Sequence, residues 1–165
     1  MILLSLRRFL IINSDFDMQK RIFCRIFMAL TIISTACEGT DKKREAENTA
    51  QEFAEAYFSY DYGKAALYVT DDSRRWIEFK ASNIGEDDIN TLRDQDRGPS
   101  VEITDADLRD ESNATVSVSV SNFFETDSIG GSARMVDEAS FDLKLQLAAD
   151  GKWRIRMEGP LRSGR

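Results

Sequence analysis

The chain has 165 residues, with 22 Lys and Arg against 29 Asp and Glu, a net charge of −7, two Cys and no His. That length suffices for one domain with a real core. The lack of His removes the commonest general base near neutral pH and the commonest metal ligand. An acidic chain argues against nucleic acid as a partner, because phosphates need neutralising cations.

Charge is unevenly spread. Before Cys37 stand five basic residues (Arg7, Arg8, Lys20, Arg21, Arg25) and two acidic ones (Asp15, Asp17), so the rest of the chain is more acidic than the whole. A basic, apolar N-terminus on an acidic body is the pattern of a targeting segment. The apolar runs Ile2–Ile12 and Ile22–Ile33 are each shorter than the roughly 20 residues that span a bilayer. Read from Met18, MQKRIFCRIFMALTIISTAC holds the parts of a secretory signal in order. Lys20, Arg21 and Arg25 form the charged start, Ile26–Ile33 the apolar stretch, and Ser34, Thr35 and Ala36 the small residues before a cut. Residues 1–17 are then read as lying upstream of the true start, because Asp17 breaks the apolar run.

The cysteine directly after the small residues resembles the lipobox of bacterial lipoproteins, in its relaxed Bacteroidetes-type form. Ser34 stands where that motif usually has Leu, with Ile33 one place further back. The resemblance implies that residues 1–36 are a signal peptide, that Cys37 is the lipid attachment site, and that the protein is held at the bacterial cell envelope. Two or three acyl chains, at about 0.8 kcal/mol per buried methylene, hold firmly where one holds weakly. An ordinary cleaved signal, or an uncleaved anchor, are the alternatives. In the lipoprotein reading Cys24 is discarded and Cys37 blocked, which leaves no thiol for a disulfide. Residues 37–43 are expected to form a solvated tether.

From about residue 43 the apolar period is helical. Ala46, Ala50, Phe53, Ala54, Tyr57 and Phe58 share one face, opposite Glu45, Glu47, Gln51, Glu52 and Glu55. Asp61 is expected to cap a second helix through Ala65, Ala66, Tyr68 and Val69, with Gly63 at the turn. A third helix is expected over Trp76, Ile77, Phe79 and Lys80, and a helical turn or loop over 85–100. After Pro99 the period becomes two. VEITDADL, NATVSVSVSNFF, ASFDLKLQL and KWRIRMEG read as four strands, each apolar on one face. The first has Val101 and Ile103 inward, the second Val116, Val118 and Val120. The third has Phe141, Leu143, Leu145 and Leu147, and the fourth Trp153, Ile155 and Met157. The segment 125–138 is expected to be a long loop, and Ala149–Lys152 a tight hairpin with positive φ at both Asp150 and Gly151. The expected fold class is α+β: N-terminal helices packed on a curved antiparallel four-stranded sheet. The domain is bounded at 44–158, with a tail over 159–165.

The run FAEAYFSYDYGKAALYVTDD after the first helix, and the closing DGKW of Asp150–Trp153, resemble the nuclear transport factor 2-like, cystatin-like superfamily. They resemble in particular small bacterial lipoproteins of unknown function on that fold. The resemblance implies a cone with a pocket between sheet and helices. Some members are enzymes, of ketosteroid isomerase or dehydratase type.

Tyr57, Tyr68, Trp76, Phe79 and Trp153 are the candidate lining of a ligand pocket, although aromatics of this kind more often simply fill a core. No catalytic residue, metal ligand or cofactor site is assigned. The acidic runs at 71–73 and 86–88 lack the alternating oxygen ligands of a calcium loop, and the Asn113 sequon carries little weight in a bacterial protein. The expectation is a non-catalytic envelope lipoprotein that binds a small ligand or a protein partner. One alternative is an isomerase or dehydratase using Tyr57 and Asp105. Asp105 stands in phase with Val101 and Ile103, while solvent at a bulge is the plainer place for it and Asp107. The other is an accessory subunit, or one half of a homodimer, docking through the sheet face that bears Lys144 and Arg154.

Overall fold

The computed structural model describes residues 35–93, 97–125 and 134–163. The expected signal segment before Thr35, residues 94–96 and 126–133, and the last two residues lie outside them. The chain divides into two units, 1–41 and 42–165. The first is described only where it begins a helix, and the buried core belongs to the second.

Helix α1 spans Thr35–Phe58. It starts before the expected boundary, so residues 37–43 are helical, and 39–41 are exposed. Glu38, Lys42 and Lys43 in that stretch are good helix formers. The α1 face runs Ala46, Ala50, Phe53, Ala54, Tyr57 and Phe58, all buried as the period required. The helix ends in a Schellman motif: Asp61 N–H reaches Ala56 O (2.9 Å) and Tyr60 N–H reaches Tyr57 O (3.2 Å). The left-handed residue that closes it is Tyr60 (φ 63°), where glycine is usual.

Helix α2 spans Tyr62–Ala65, and the Asp61 carboxylate accepts from Lys64 N–H at its start (3.0 Å). Gly63 lies inside the helix and not at a turn. The helix stops short of Tyr68 and Val69, because this segment pairs as a strand would. Val69 bridges Ile155 in parallel, and Ile155 N–H donates to Tyr68 O (2.7 Å). A 3-10 turn over Asp71–Ser73 leads into α3, Arg74–Ser82, which buries Ile77. Helix α4, Glu86–Arg93, opens with the Asp88 carboxylate accepting from Gly85 N–H (2.9 Å). The acidic residues thus serve helix starts.

The sheet is antiparallel in the order β1 (Ser100–Leu108), β2 (Asn113–Glu125), β3 (Arg134–Leu147), β4 (Trp153–Ile155). With the helices on its apolar face, this is the expected α+β class. Strand β3 starts within the segment expected as loop and pairs as far as Arg134 with Glu125. The β3–β4 hairpin turns at Gly151 alone with positive φ (76°), following a Gly151 N–H to Ala148 O bond (2.9 Å). This is a type I turn closed by a glycine bulge, not the turn with two positive angles.

Three strands change phase along their length. A bulge in β1 interrupts the register between Ile103 and Asp105, and Thr104 Oγ1 donates to Ser117 O (3.1 Å) there. Asn122 in β2 takes φ 58°, so the buried series Val116, Val118, Val120 continues at Phe123 and not at 122. Opposite it, β3 shifts from Phe141 and Ala139 to Val136. The broken alternation bends the sheet and re-aims its side chains. On the buried face of α1, Ala46, Ala50 and Ala54 are fully covered, and Gln51 Nε2 donates to Val101 O (3.1 Å).

Candidate functional site

At the C-terminal end of α1 the small residues give way to rings. Phe58 packs on Phe141 (centroids 4.7 Å apart) and on Phe123 (5.0 Å), and Tyr57 meets Tyr62 edge-on at 5.6 Å. Tyr60 lies against Tyr62 at 5.8 Å, and its hydroxyl donates to Phe124 O (2.7 Å). These residues surround a cavity closed by Lys80, Glu125 and Leu161. It has about 20 Å³ of space for the centre of a water-sized sphere, enough for about one water.

Each tyrosine arrives there for a local reason. Tyr57 continues the buried stripe of α1. Tyr62 opens α2. Tyr60 is aimed by its left-handed backbone, which costs a non-glycine residue about 1–2 kcal/mol. The bond to Phe124 O and the contact with Tyr62 hold Tyr60 in that conformation.

The Tyr57 hydroxyl is buried and has no hydrogen-bond partner among the described residues. Leaving a buried hydroxyl unpaired costs about 1–3 kcal/mol. Burial pushes its ionisation well above that of an ordinary phenol, helped by Tyr60 and Glu125. The Leu161 backbone lies near enough to offset part of that effect without a hydrogen bond of regular geometry. Burial likewise raises Tyr62, and lifts Tyr60 to about 12 with help from Asp88 and Glu125. All three phenols are therefore neutral donors at physiological pH. Glu125 is held by Arg134 at 2.7 Å.

The five aromatics expected to line one pocket are divided. Tyr57 lines the cavity just described. Tyr68 and Trp153 line a separate open groove of about 460 Å³ against Glu45 and Glu52 of α1. There Glu52 holds the Tyr68 hydroxyl and raises its pKa. Trp76 lies beneath Arg75 (5.0 Å), and Phe79 is 40% exposed. The Nε1 groups of Trp76 and Trp153 are buried without a partner among the described residues. The five therefore do not form one lining. The alternation that made Trp153 inward was right, but it says nothing about which end of the core a ring occupies.

Asp105 is exposed, and so is Asp107. The β1 bulge turns Asp105 away from the apolar face, so the pairing of Tyr57 with Asp105 does not exist. Tyr60 and Tyr62 stand out in the sequence only as tyrosines of the helical half, and sequence reading missed Glu125, Phe58, Phe123, Phe141 and Leu161 as a lining. The one usable signal was the cluster YFSYDY itself, four rings in six residues at a helix end. On the outer face, Arg154 is tied to Asp150 (3.0 Å) and Lys144 approaches Glu158 (4.0 Å).

Neither the family models nor the curated proteins compared with the chain match it. Among solved structures, a ketosteroid isomerase-like protein from Erwinia carotovora atroseptica SCRI1043 is similar to it, with a TM-score of 0.42 and 16% identity. The similarity covers 69% of this chain and 90% of that one. Among the described residues no helix is long and apolar enough to cross a membrane.

Proposed function

We propose that the chain is a bacterial envelope lipoprotein, anchored through Cys37, whose α+β domain binds a small, mostly apolar molecule bearing one hydrogen-bond acceptor. The observation that carries the binding is the Tyr57 hydroxyl, buried without a partner in the wall of an aromatic cavity. A neutral phenol there supplies a donor to a ligand carbonyl, and the surrounding rings supply the apolar contact typical of small-molecule sites. The residue pattern that resembles the nuclear transport factor 2-like superfamily supports a pocket between helices and sheet. The anchor rests on the sequence Ser34–Cys37 after a basic, apolar segment.

Cyclohexanone serves as the probe. Titrated into the protein and followed by NMR, it shifts resonances of Tyr57 and Tyr62, and Tyr57→Phe weakens its binding at least tenfold. Equal binding by both proteins would remove the reading. The anchor is tested by the intact mass of membrane-purified protein. A mass of residues 37–165 plus acyl chains, lost in Cys37→Ala, is expected, and an unlipidated mass contradicts it.

Glu125 in the cavity wall favours one second reading. A carboxylate beside phenol donors could remove a proton next to a ligand carbonyl. Exchange of the cyclohexanone α-protons into deuterated water, abolished by Glu125→Gln, would make the domain an enzyme. The non-catalytic reading expects no exchange above buffer.

A further inference from the structure

We infer that the segment after β4 is an intramolecular plug of the tyrosine cavity, with Leu161 as its stopper, and that a ligand enters by displacing it. The inference rests on the reading of that cavity as a ligand site and concerns how the site is gated.

The segment is held lightly. The last backbone anchors before it are Arg156 N–H to Lys144 O and Met157 N–H to Ser73 Oγ, both at 2.8 Å. Among the described residues, 158–163 make no backbone–backbone hydrogen bond to the rest of the domain. Glu158 meets Lys144 at 4.0 Å and Arg156 at 3.4 Å, pairs that are all more than half exposed and contribute little. Leu161, by contrast, is partly buried, packs on the core and lines the cavity.

With Leu161 in place the cavity has room for about one water, far less than any ring-sized ligand needs. The donor such a ligand would use, Tyr57 Oη, faces the Leu161 backbone. The stopper therefore lies over the one polar atom of the site without a partner among the described residues. A leucine on a chain without ladder hydrogen bonds is the piece that moves at least cost, since the rings opposite are locked between α1 and the sheet.

The test compares the full chain with Leu161→Ala, Leu161→Met and a chain ending at Glu158, using cyclohexanone as the probe. A plug predicts at least tenfold tighter binding for Leu161→Ala and for the shortened chain, and no such gain for Leu161→Met, whose side chain fills a similar volume. It also predicts that Tyr57 titrates closer to an ordinary phenol in Leu161→Ala without any ligand, because water reaches it. Unchanged or weaker binding in Leu161→Ala, with Tyr57 titrating as in the wild type, makes Leu161 a fixed wall and overturns the plug alone. Tighter binding that Tyr57→Phe leaves intact in the Leu161→Ala background would place the probe elsewhere and overturn both readings.

Discussion

The buried face of α1 changes character along its length. From Ala46 through Ala50 to Ala54 it carries small side chains, fully covered, with Gln51 bonded to β1. Its C-terminal end meets the sheet through rings and breaks three rules at once. A hydroxyl is buried unpaired, a tyrosine sits where glycine belongs, and a cavity remains between them. Among the described residues two further buried polar atoms lack a partner elsewhere, Trp76 Nε1 and Trp153 Nε1. The meeting of three such departures at the aromatic end is what makes it the candidate site.

Several substitutions would break or sharpen that contrast. The largest effect is expected at Phe141, whose ring meets both Phe58 and Phe123. Phe141→Ala should cost about 3–5 kcal/mol in urea unfolding. A loss below about 1 kcal/mol would mean the aromatic end is not packed as described.

High pH probes the same end. Tyr57 and Tyr62 ionise near 10 when exposed and well above it when folded. Above pH 10 the unfolded chain loses protons that the folded one keeps, so stability present below pH 10 falls as pH rises. The slope is about 1.4 kcal/mol per pH unit for each tyrosine. Tyr62→Phe should remove one such contribution from the pH dependence measured between 10 and 12.

On the alanine stretch of α1, Ala50→Leu should overpack the buried face and cost about 1–3 kcal/mol, while leaving cyclohexanone binding in place. At Tyr60 the comparison is between two truncations. Both lose the bond to Phe124 O, but only alanine keeps the left-handed strain. Tyr60→Gly should therefore be more stable than Tyr60→Ala by about 1 kcal/mol. The smallest effect is expected at Asp105: exposed on β1, its change to Asn should stay within about 0.5 kcal/mol.

Much of the fold was legible because its signals are local and periodic. Val116, Val118 and Val120 alternate, and so do Phe141, Leu143 and Leu145, and these are the buried sheet face. The α1 stripe followed from spacings of three and four. What alternation cannot show is where it stops. The bulge at Thr104 and the turn of backbone at Asn122 depend on neighbouring strands, so the start of β3 read as loop, while Asp105 lies in solvent at the bulge, the plainer of the two places the sequence offered for it. The site was less legible than the fold. Tyr57 was identified, but its companions Tyr60 and Tyr62 reach it through a Schellman turn at a non-glycine residue, which no residue preference announces. Leu161 joins them from the other end of the domain.

The most direct test of the account is the equilibrium unfolding of Tyr57→Phe, with and without cyclohexanone. A hydroxyl kept for a ligand, and unpaired without one, predicts a variant at least as stable as the wild type, by up to about 1 kcal/mol, that gains little from the probe. A variant destabilised by about 1 kcal/mol or more, or one that the probe stabilises as much as the wild type, would show that the hydroxyl belongs to the fold and not to a site.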